Sequence, residues 1–557
     1  MLIFKKGTPM KYLLIMAVSL CATWSQAQSK KFTFKLGSEF ELPRKSEDLS
    51  FFGNQKDGIV NLSLKKDEII IVKFDGKTLE QSGEKTIELP DVTKNFNSEI
   101  ITEFKNGNYF WLHSDWDKST ETETLYYDKL DVGGAKLIAN NTKMFETTRL
   151  SGSLTSSGFY QMKVDNKYQF NYDAEGKKLL VNYRLWPEEK NDKKNYDKIG
   201  LQVFDDNMKK LWGGEFTMPY TEQIMDNSDF SVDGNGNAYM LAKVYDSEKR
   251  REKDKETGLP AYHYEVLKFV KGNNKIISAT LSLNDYFIHE TSLIENLQHE
   301  MIIACTYSKK SNKKSQSNGT DGVFLATLDQ NNKVVKFKKG YYEFPLADLQ
   351  KFESARTKRK MEKKDDYEAP NLKVRNIIIE GDGSVMMVLE EYYLVVNRTY
   401  DSRGQVRTYT TFHYEDIVAG KINISGEFEW LRKIPKKQKG STSSYSYAIN
   451  YNLPGTMGFK LISDATGYYF LYLDNKKNMD IQEDEVPKYH VDGAGGQVVV
   501  SKLDNAGVIT NKDLLFDTRE EDVMVFPAKF TRINGNQFIG RARVKKNRFQ
   551  PLLITVN

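Results

Sequence analysis

Apolar residues along this chain fall into short runs, either alternating with polar positions or continuous over four or five residues, and most runs stop at a turn. Glu68-Ile69-Ile70-Ile71-Val72 is one such run, closed by Lys73-Phe74-Asp75-Gly76. Runs of this length and period predict strands, since a strand shows alternate residues to opposite faces. The closing formula returns as Lys129-Leu130-Asp131, Val203-Phe204-Asp205, Lys268-Phe269, Thr327-Leu328-Asp329, Lys421-Ile422-Asn423 and Lys502-Leu503-Asp504. The last residues, Thr555-Val556-Asn557, make an eighth copy stopped at its turn. Asp and Asn cap such turns through their own side chains, and glycine supplies positive φ without steric cost.

A second turn precedes most of these strands, as in Asn106-Gly107-Asn108, Asp173 to Gly176, Asp233 to Asn237, Gly381-Asp382-Gly383, Asp464 to Gly467 and Asn534-Gly535-Asn536. Downstream, several strands run to a proline, at Pro90, Pro219, Pro345 and Pro435, and proline belongs at a strand end or sheet edge. The repeating unit is therefore four strands, A to D, which predicts an all-β chain folded as a single β-propeller. Eight blades are expected, with seven the alternative if the weak 148–166 stretch is misread. The strand Phe32 to Glu41 precedes the first unit, and the chain finishes on a third strand, Leu552 to Val556. The first is expected to complete the last blade, which removes exposed sheet edges.

Residues 1–27 combine Lys5, Lys6 and Lys11 with an apolar run from Tyr12 to Ala22 and Ser25-Gln26-Ala27 before Gln28. That is the make-up of a secretory signal, so the propeller is expected to occupy 28–557, in the periplasm or at the cell surface. The apolar run is too short to span a membrane, and no later stretch comes nearer. Cys21 follows Leu20, where a lipobox takes a small residue, so no lipid anchor is expected. Beyond the signal only Cys305 remains, inside Met301-Ile302-Ile303-Ala304-Cys305, which predicts a buried thiol with no internal disulfide.

Hydrophobic residues make up 39% of the chain and aromatics 12%, enough to build blade-to-blade cores. The formal charge of +5 falls to +2 once the three signal lysines are removed. Positive and negative loops are interspersed: 306–321 and 351–366 each carry +3, while 115–124 and 472–492 each carry −3. Nucleic-acid binding would need one clustered basic surface, so it is not expected.

The connections between strands B and C grow long and charged in six units, at 115–124, 186–198, 246–262, 306–321, 397–407 and 474–496. In an up-and-down blade these share a face with the D-to-A connectors, including a basic helical insertion at about 346–372. Function concentrates in such loops on a rigid scaffold. Trp116, Trp186, Tyr262, Tyr400 and Tyr489 lie in or beside these tips and are expected to be exposed partner-binding anchors, as interface hot spots favour aromatics.

Catalytic and metal chemistry leave little trace. The histidines (His113, His263, His289, His299, His413 and His490) form no metal-ligand motif. Asp233-Gly234-Asn235-Gly236-Asn237 opens like a calcium loop but lacks the later glutamate, so it reads as a turn. Gly493-Ala494-Gly495-Gly496 leads into a strand and not a phosphate-holding helix. Glycosidases generally need paired carboxylates, and the inner A strands read as poor in acids: Asp229 stands out, and Glu380 falls at a strand's end beside the turn. No catalytic residue, cofactor or metal is assigned, and enzymatic activity stays open.

Tyr168 to Leu180 with Leu211-Trp212 and Met218-Pro219, Glu391-Tyr392-Tyr393 through Tyr414-Glu415-Asp416-Ile417-Val418, and Phe428-Glu429-Trp430 with Lys433-Ile434-Pro435-Lys436 resemble a group of exported Bacteroidota proteins with no established activity. The resemblance covers about 168–520 and implies a location at the envelope or surface, with no catalytic residue to carry over. The expected function is a non-catalytic binding or scaffolding propeller whose B–C face meets an envelope or surface protein. The alternative is a glycan-binding or glycan-cleaving propeller that uses the central channel.

Overall fold

A computed structural model describes residues 31–89, 96–156, 162–189, 191–273, 275–281, 285–310, 319–362, 369–370, 372–400, 403–404, 406–443, 456–493, 495–510, 512–545 and 547–557. The signal reading at 1–27, with Cys21, and Pro90 lie outside these residues. Among the described residues the chain forms eight antiparallel blade sheets, and in seven of them strands A to D follow in sequence order. Blade 1 is built from Glu47–Asn54, Gly58–Lys65, Glu68–Phe74 and Gln81–Glu88. Blades 2 to 7 occupy 97–148, 168–221, 225–281, 287–343, 372–434 and 460–517. Blade 8 takes Thr531–Asn534, Gln537–Lys545 and Arg548–Val556 from the end of the chain and Phe32–Leu36 from its start, with Phe32 opposite Val556 and Leu36 opposite Leu552.

The cores lie between the blades. Eight buried apolar clusters each join one pair of neighbouring sheets. Trp111 and Leu62 meet between blades 1 and 2, and Phe204 and Phe110 between blades 2 and 3. Tyr469 and Phe32 pack between blades 7 and 8. The eighth cluster joins Ile539 and Leu553 of blade 8 to Phe51 and Ile70 of blade 1, so the succession of sheets returns to its start. This is the packing of an eight-bladed β-propeller. The 148–166 stretch does not reduce the count, because Ser153–Ser156 and Met162–Asp165 form a separate two-stranded hairpin between blades 2 and 3.

The turns fold as their residues dictate. In all eight A–B turns an Asp or Asn accepts a backbone N–H two to five residues on, from Asn54, Asn106, Asp173 and Asp233 to Asn296, Asp382, Asp464 and Asn534. Six C–D turns repeat the device with Asp75, Asp131, Asp205, Asp329, Asn423 and Asp504. Gly236, at φ 81°, occupies the left-handed position in the turn read as a failed calcium loop. One expectation is corrected here: the outer strand of blade 3 runs past Pro219 to Thr221. As the D strand it has an open edge, where a missing N–H costs little.

Between blades 5 and 6 the basic insertion forms two short helices, Leu346–Leu349 and Ala355–Glu362, not one continuous helix. The break lies at Phe352, whose φ of 61° leaves helical space. Leu349, Phe352 and Met361 are buried, and Leu346 is exposed. No helix among the described residues is long and apolar enough to cross a membrane.

Candidate functional site

The elaborated face carries the B–C loops and D–A connectors, which bond to one another. Trp186 in the blade 3 loop donates its N–H to Arg149 of the connector before it. Gly319–Thr320 in the blade 5 loop pairs with Ala369–Pro370 of the next connector. Phe352 donates to Glu483 in the blade 7 loop. Several long loops nevertheless contain more strand than their charge implied. At 115–124 the ladder runs to Asp117 and resumes at Thr122. At 186–198 the strand resumes at Tyr196, and the tip 311–318 lies outside the described residues.

The largest departure is in blade 6. Its two middle strands, Val385–Tyr400 and Val406–Ile422, far exceed the strands beside them. The inner strand Leu372–Ile379 pairs only as far as Glu391, while the hairpin continues to Tyr400 opposite Val406. A further strand, Gln438–Ser443, pairs with residues 409–414 and in turn holds His490–Val491 of the blade 7 loop. The result is a small sheet standing beyond the propeller body, an arm on the loop face. Leu394, Val395, Val396, Tyr400 and Val406 are exposed on it.

The arm joins its blade through a layer of buried charge. The B–C ladder is irregular there, shifting register between Glu390 and Tyr392, and the outer edge breaks between Ile434 and Gln438. Glu390 pairs with Arg375 at 2.7 Å and with Lys436 at 2.8 Å. Asp416 lies 3.0 Å from the Lys433 ammonium, which also reaches Glu353 of the helical connector. Burial alone would lower the Lys433 pKa, but Asp416 and Glu353 hold it above the ordinary lysine range. Burial, reinforced by Glu415 and Asp416, pushes the Glu391 carboxyl well above the usual carboxylate range. Burial acts the same way on Glu415, but Lys437 and the hydroxyls of Tyr489 and Tyr393 outweigh it, leaving Glu415 below that range.

The five aromatic candidates separate. Tyr400 is 72% exposed at the arm tip, and Trp186 is 54% exposed. Trp116 is half-buried in the blade 2 ladder opposite Glu123. Tyr489 is half-buried and belongs to the charged layer through Glu415. Tyr262 corrects the expectation of exposure: it is 4% exposed, in the core between blades 4 and 5. It is the first residue of its strand and not part of the tip. Its hydroxyl donates to the Ile288 carbonyl and accepts the Ile288 N–H.

Asp229 and Glu380, the two acids singled out in the sequence, are engaged in structural hydrogen bonds. Asp229 accepts N–H groups from Phe230 and from Leu293 of the next blade, and Glu380 accepts the Tyr468 hydroxyl. Burial raises the Cys305 thiol far above its usual range, as suits an inert core cysteine. Among the described residues no group of three or more His, Cys, Asp or Glu side chains could hold a metal ion.

A cleft of about 340 Å³ opens on the same face between blades 3 and 4. Arg184 spans it, donating Nε to Asp197 and Nη2 to Glu222, each at 2.8 Å. The exposed Trp186 also lines it, as does Arg250, which pairs with Asp226. The sequence reading found the indole, which sits in a visibly charged loop. It missed the cleft, because Arg184, Asp197 and Asn227 lie within strands and meet only across two blades.

No protein-family model matches the chain, and no curated protein sequence matches it. Among solved structures it is similar to the acylaminoacyl peptidase of Pyrococcus horikoshii, at 11% identity and a TM-score of 0.34 over 90% of this chain. The chain spans 58% of that peptidase's length. It is also similar to the β-propeller domain of the Trilobed protease from Pyrococcus furiosus, at 10% identity and a TM-score of 0.29, covering 71% of this chain and 96% of that one. An ulvan lyase of a new polysaccharide lyase family shares 9% identity at a TM-score of 0.38, covering 82% and 93%. Such values carry no functional assignment; the fold rests on the sheets and inter-blade cores described above.

Proposed function

We propose that this is an exported, non-catalytic propeller that binds a protein partner in the cell envelope through its B–C face. One observation carries the reading: the blade 6 hairpin continues beyond the propeller body and exposes Leu394, Val396 and Tyr400. Apolar and aromatic side chains held out on ordered strands suit a contact surface, since little conformational entropy remains to be lost on binding. The charged layer beneath supports the same view, because it fixes the arm to four segments of chain. Export rests on the signal composition of residues 1–27. The hydrogen bonds that Asp229 and Glu380 make within the fold weigh against the channel-based glycan reading.

The test is a pull-down from native envelope with the mature protein, beside a variant whose hairpin is cut back to a tight turn between residues 392 and 414. A stoichiometric protein captured by the first and lost with the second supports the reading. If neither form captures a protein, the reading falls.

A further inference from the structure

The cleft between blades 3 and 4 has the chemistry of a ligand site independent of the arm. Its volume of about 340 Å³ lies within the roughly 300–1,000 Å³ of small-molecule pockets. Its walls are set before any ligand arrives. Arg184 is held by two buried carboxylates, Asp197 and Glu222, and its Nη1 has no partner among the described residues. Asn227 gives its amide N–H to Asp197 at 3.0 Å, while its carbonyl oxygen is buried with no hydrogen-bond partner. A buried acceptor left unmet costs free energy and awaits a donor. The Asp192 carboxylate, also on the wall, is exposed and makes no hydrogen bond among the described residues.

Above these polar groups stands Trp186. Its N–H is bonded to the Arg149 carbonyl, and its own carbonyl accepts Arg149 Nη2 at 3.0 Å, so its backbone is anchored on both sides while the side chain stays exposed. The cleft thus offers a ready-placed aromatic face, at least one guanidinium donor and two acceptors, Asn227 Oδ1 and Asp192. A ligand matching all of these must both donate and accept hydrogen bonds over a short distance and carry a flat apolar face. A pyranose meets that description, as each hydroxyl donates and accepts and one ring face presents only C–H bonds. The charge narrows the class further. Four carboxylates against two guanidiniums leave the walls with two negative charges in excess, which disfavours a uronic or sulfated sugar.

We infer that this cleft is a carbohydrate-binding subsite for a neutral sugar residue, stacked on Trp186 and hydrogen-bonded to Asn227, Asp192 and Arg184. The site binds and does not cleave, since Asp197, Glu222 and Asp226 are each committed to an arginine.

The experiment is saturation-transfer NMR on the mature protein with lactose, cellobiose and maltose as neutral probes and a glucuronic-acid disaccharide as the acidic one. The expected result is transfer from the protein to at least one neutral sugar, weakened about tenfold in Trp186→Ala through loss of the stacking face and retained in Trp186→Phe. Asp192→Asn, an exposed change, is expected to weaken the same signal. Circular dichroism melts separate a binding loss from a folding loss. The inference is overturned if no neutral sugar receives transfer, if the transfer signal is as strong in Trp186→Ala as in the parent, or if the acidic disaccharide binds as well as the neutral ones. A lost envelope partner in the arm-shortened variant bears on the arm alone, so the two readings fail separately.

Discussion

The Lys436 ammonium lies 2.8 Å from Glu390 Oε1, with both side chains shut off from solvent. Lys436 also donates to the Tyr414 carbonyl, so one buried cation ties two strands of the arm's base to the connector that leaves blade 6. Removing Lys436 leaves Glu390 with Arg375 as its remaining charge partner and Oε1 unmet, a cost at or below the roughly 3–5 kcal/mol of a fully broken buried pair. Lys436→Met is therefore expected to lower stability in urea unfolding by up to that much. The double variant with Glu390→Gln is expected to regain most of it, and a double as unstable as the single would show that the pair is not the cause.

Tyr262 and Tyr400 looked alike in sequence and are expected to behave oppositely. Tyr262→Ala removes a buried ring and leaves the Ile288 N–H and carbonyl unmet, at a cost of about 3–5 kcal/mol. Tyr400→Ala changes an exposed position and is expected to stay within about 0.5 kcal/mol of the parent, while weakening partner capture. Thermal melts of both variants check the contrast.

Glu295 of blade 5 reaches both the adjacent blade 4 and blade 3 beyond it. Its oxygens accept N–H groups from Gly234 of blade 4 at 2.8 Å and Ala174 of blade 3 at 2.9 Å. Glu295→Ala orphans both donors and is expected to cost about 2–4 kcal/mol. Hydrogen exchange should show faster opening of the Asp173 and Asp233 turns than of blades 7 and 8.

Burial depresses the pKa values of His289 and His490 to about 4, aided at His490 by Arg519. Unfolding restores their ordinary value, so the unfolded chain takes up protons between about pH 6.5 and 4 and stability falls with pH through that window. Glu391 acts oppositely. Its raised pKa favours the protonated form in the fold, so its contribution is present at low pH and declines as pH rises above the ordinary glutamate range. Melting temperatures from pH 7 to 4.5 are expected to fall, to fall less in His490→Asn, and to fall more steeply in Glu391→Gln, where the opposing slope is gone.

The blade architecture was legible because its signals are local. A strand of alternating residues and an Asp or Asn that caps its own turn need nothing distant, and the Asp75, Asp205 and Asp504 turns form as read. The arm was obscured by charge and glycine. Asp401, Arg403 and Gly404 mark a tip, yet Thr399, Tyr400, Val406 and Thr408 on either side are strong strand formers, and the ladder runs to within five residues of closure. The charged layer gave a signal that local reading misassigns. Glu390-Glu391 and Glu415-Asp416 are adjacent acid pairs in strands, where one member normally faces water, and only the packing of Lys433 and Lys436 against them shows otherwise. The sugar cleft depends on residues from two blades and left no trace beyond Trp186.

The pairing of Phe32–Leu36 with Leu552–Val556 bears on how the molecule is made. The two strands lie far apart in sequence, so the earliest strand of the propeller waits through synthesis of all the others before its neighbour exists. Pairings of such sequence separation form late and slowly. Until then blades 1 and 7 each hold an uncovered apolar flank, and the nascent protein is at its most aggregation-prone when nearly complete. A chaperone would have its greatest effect at that last step, and shortening the first strand would reduce yield more than its five residues suggest.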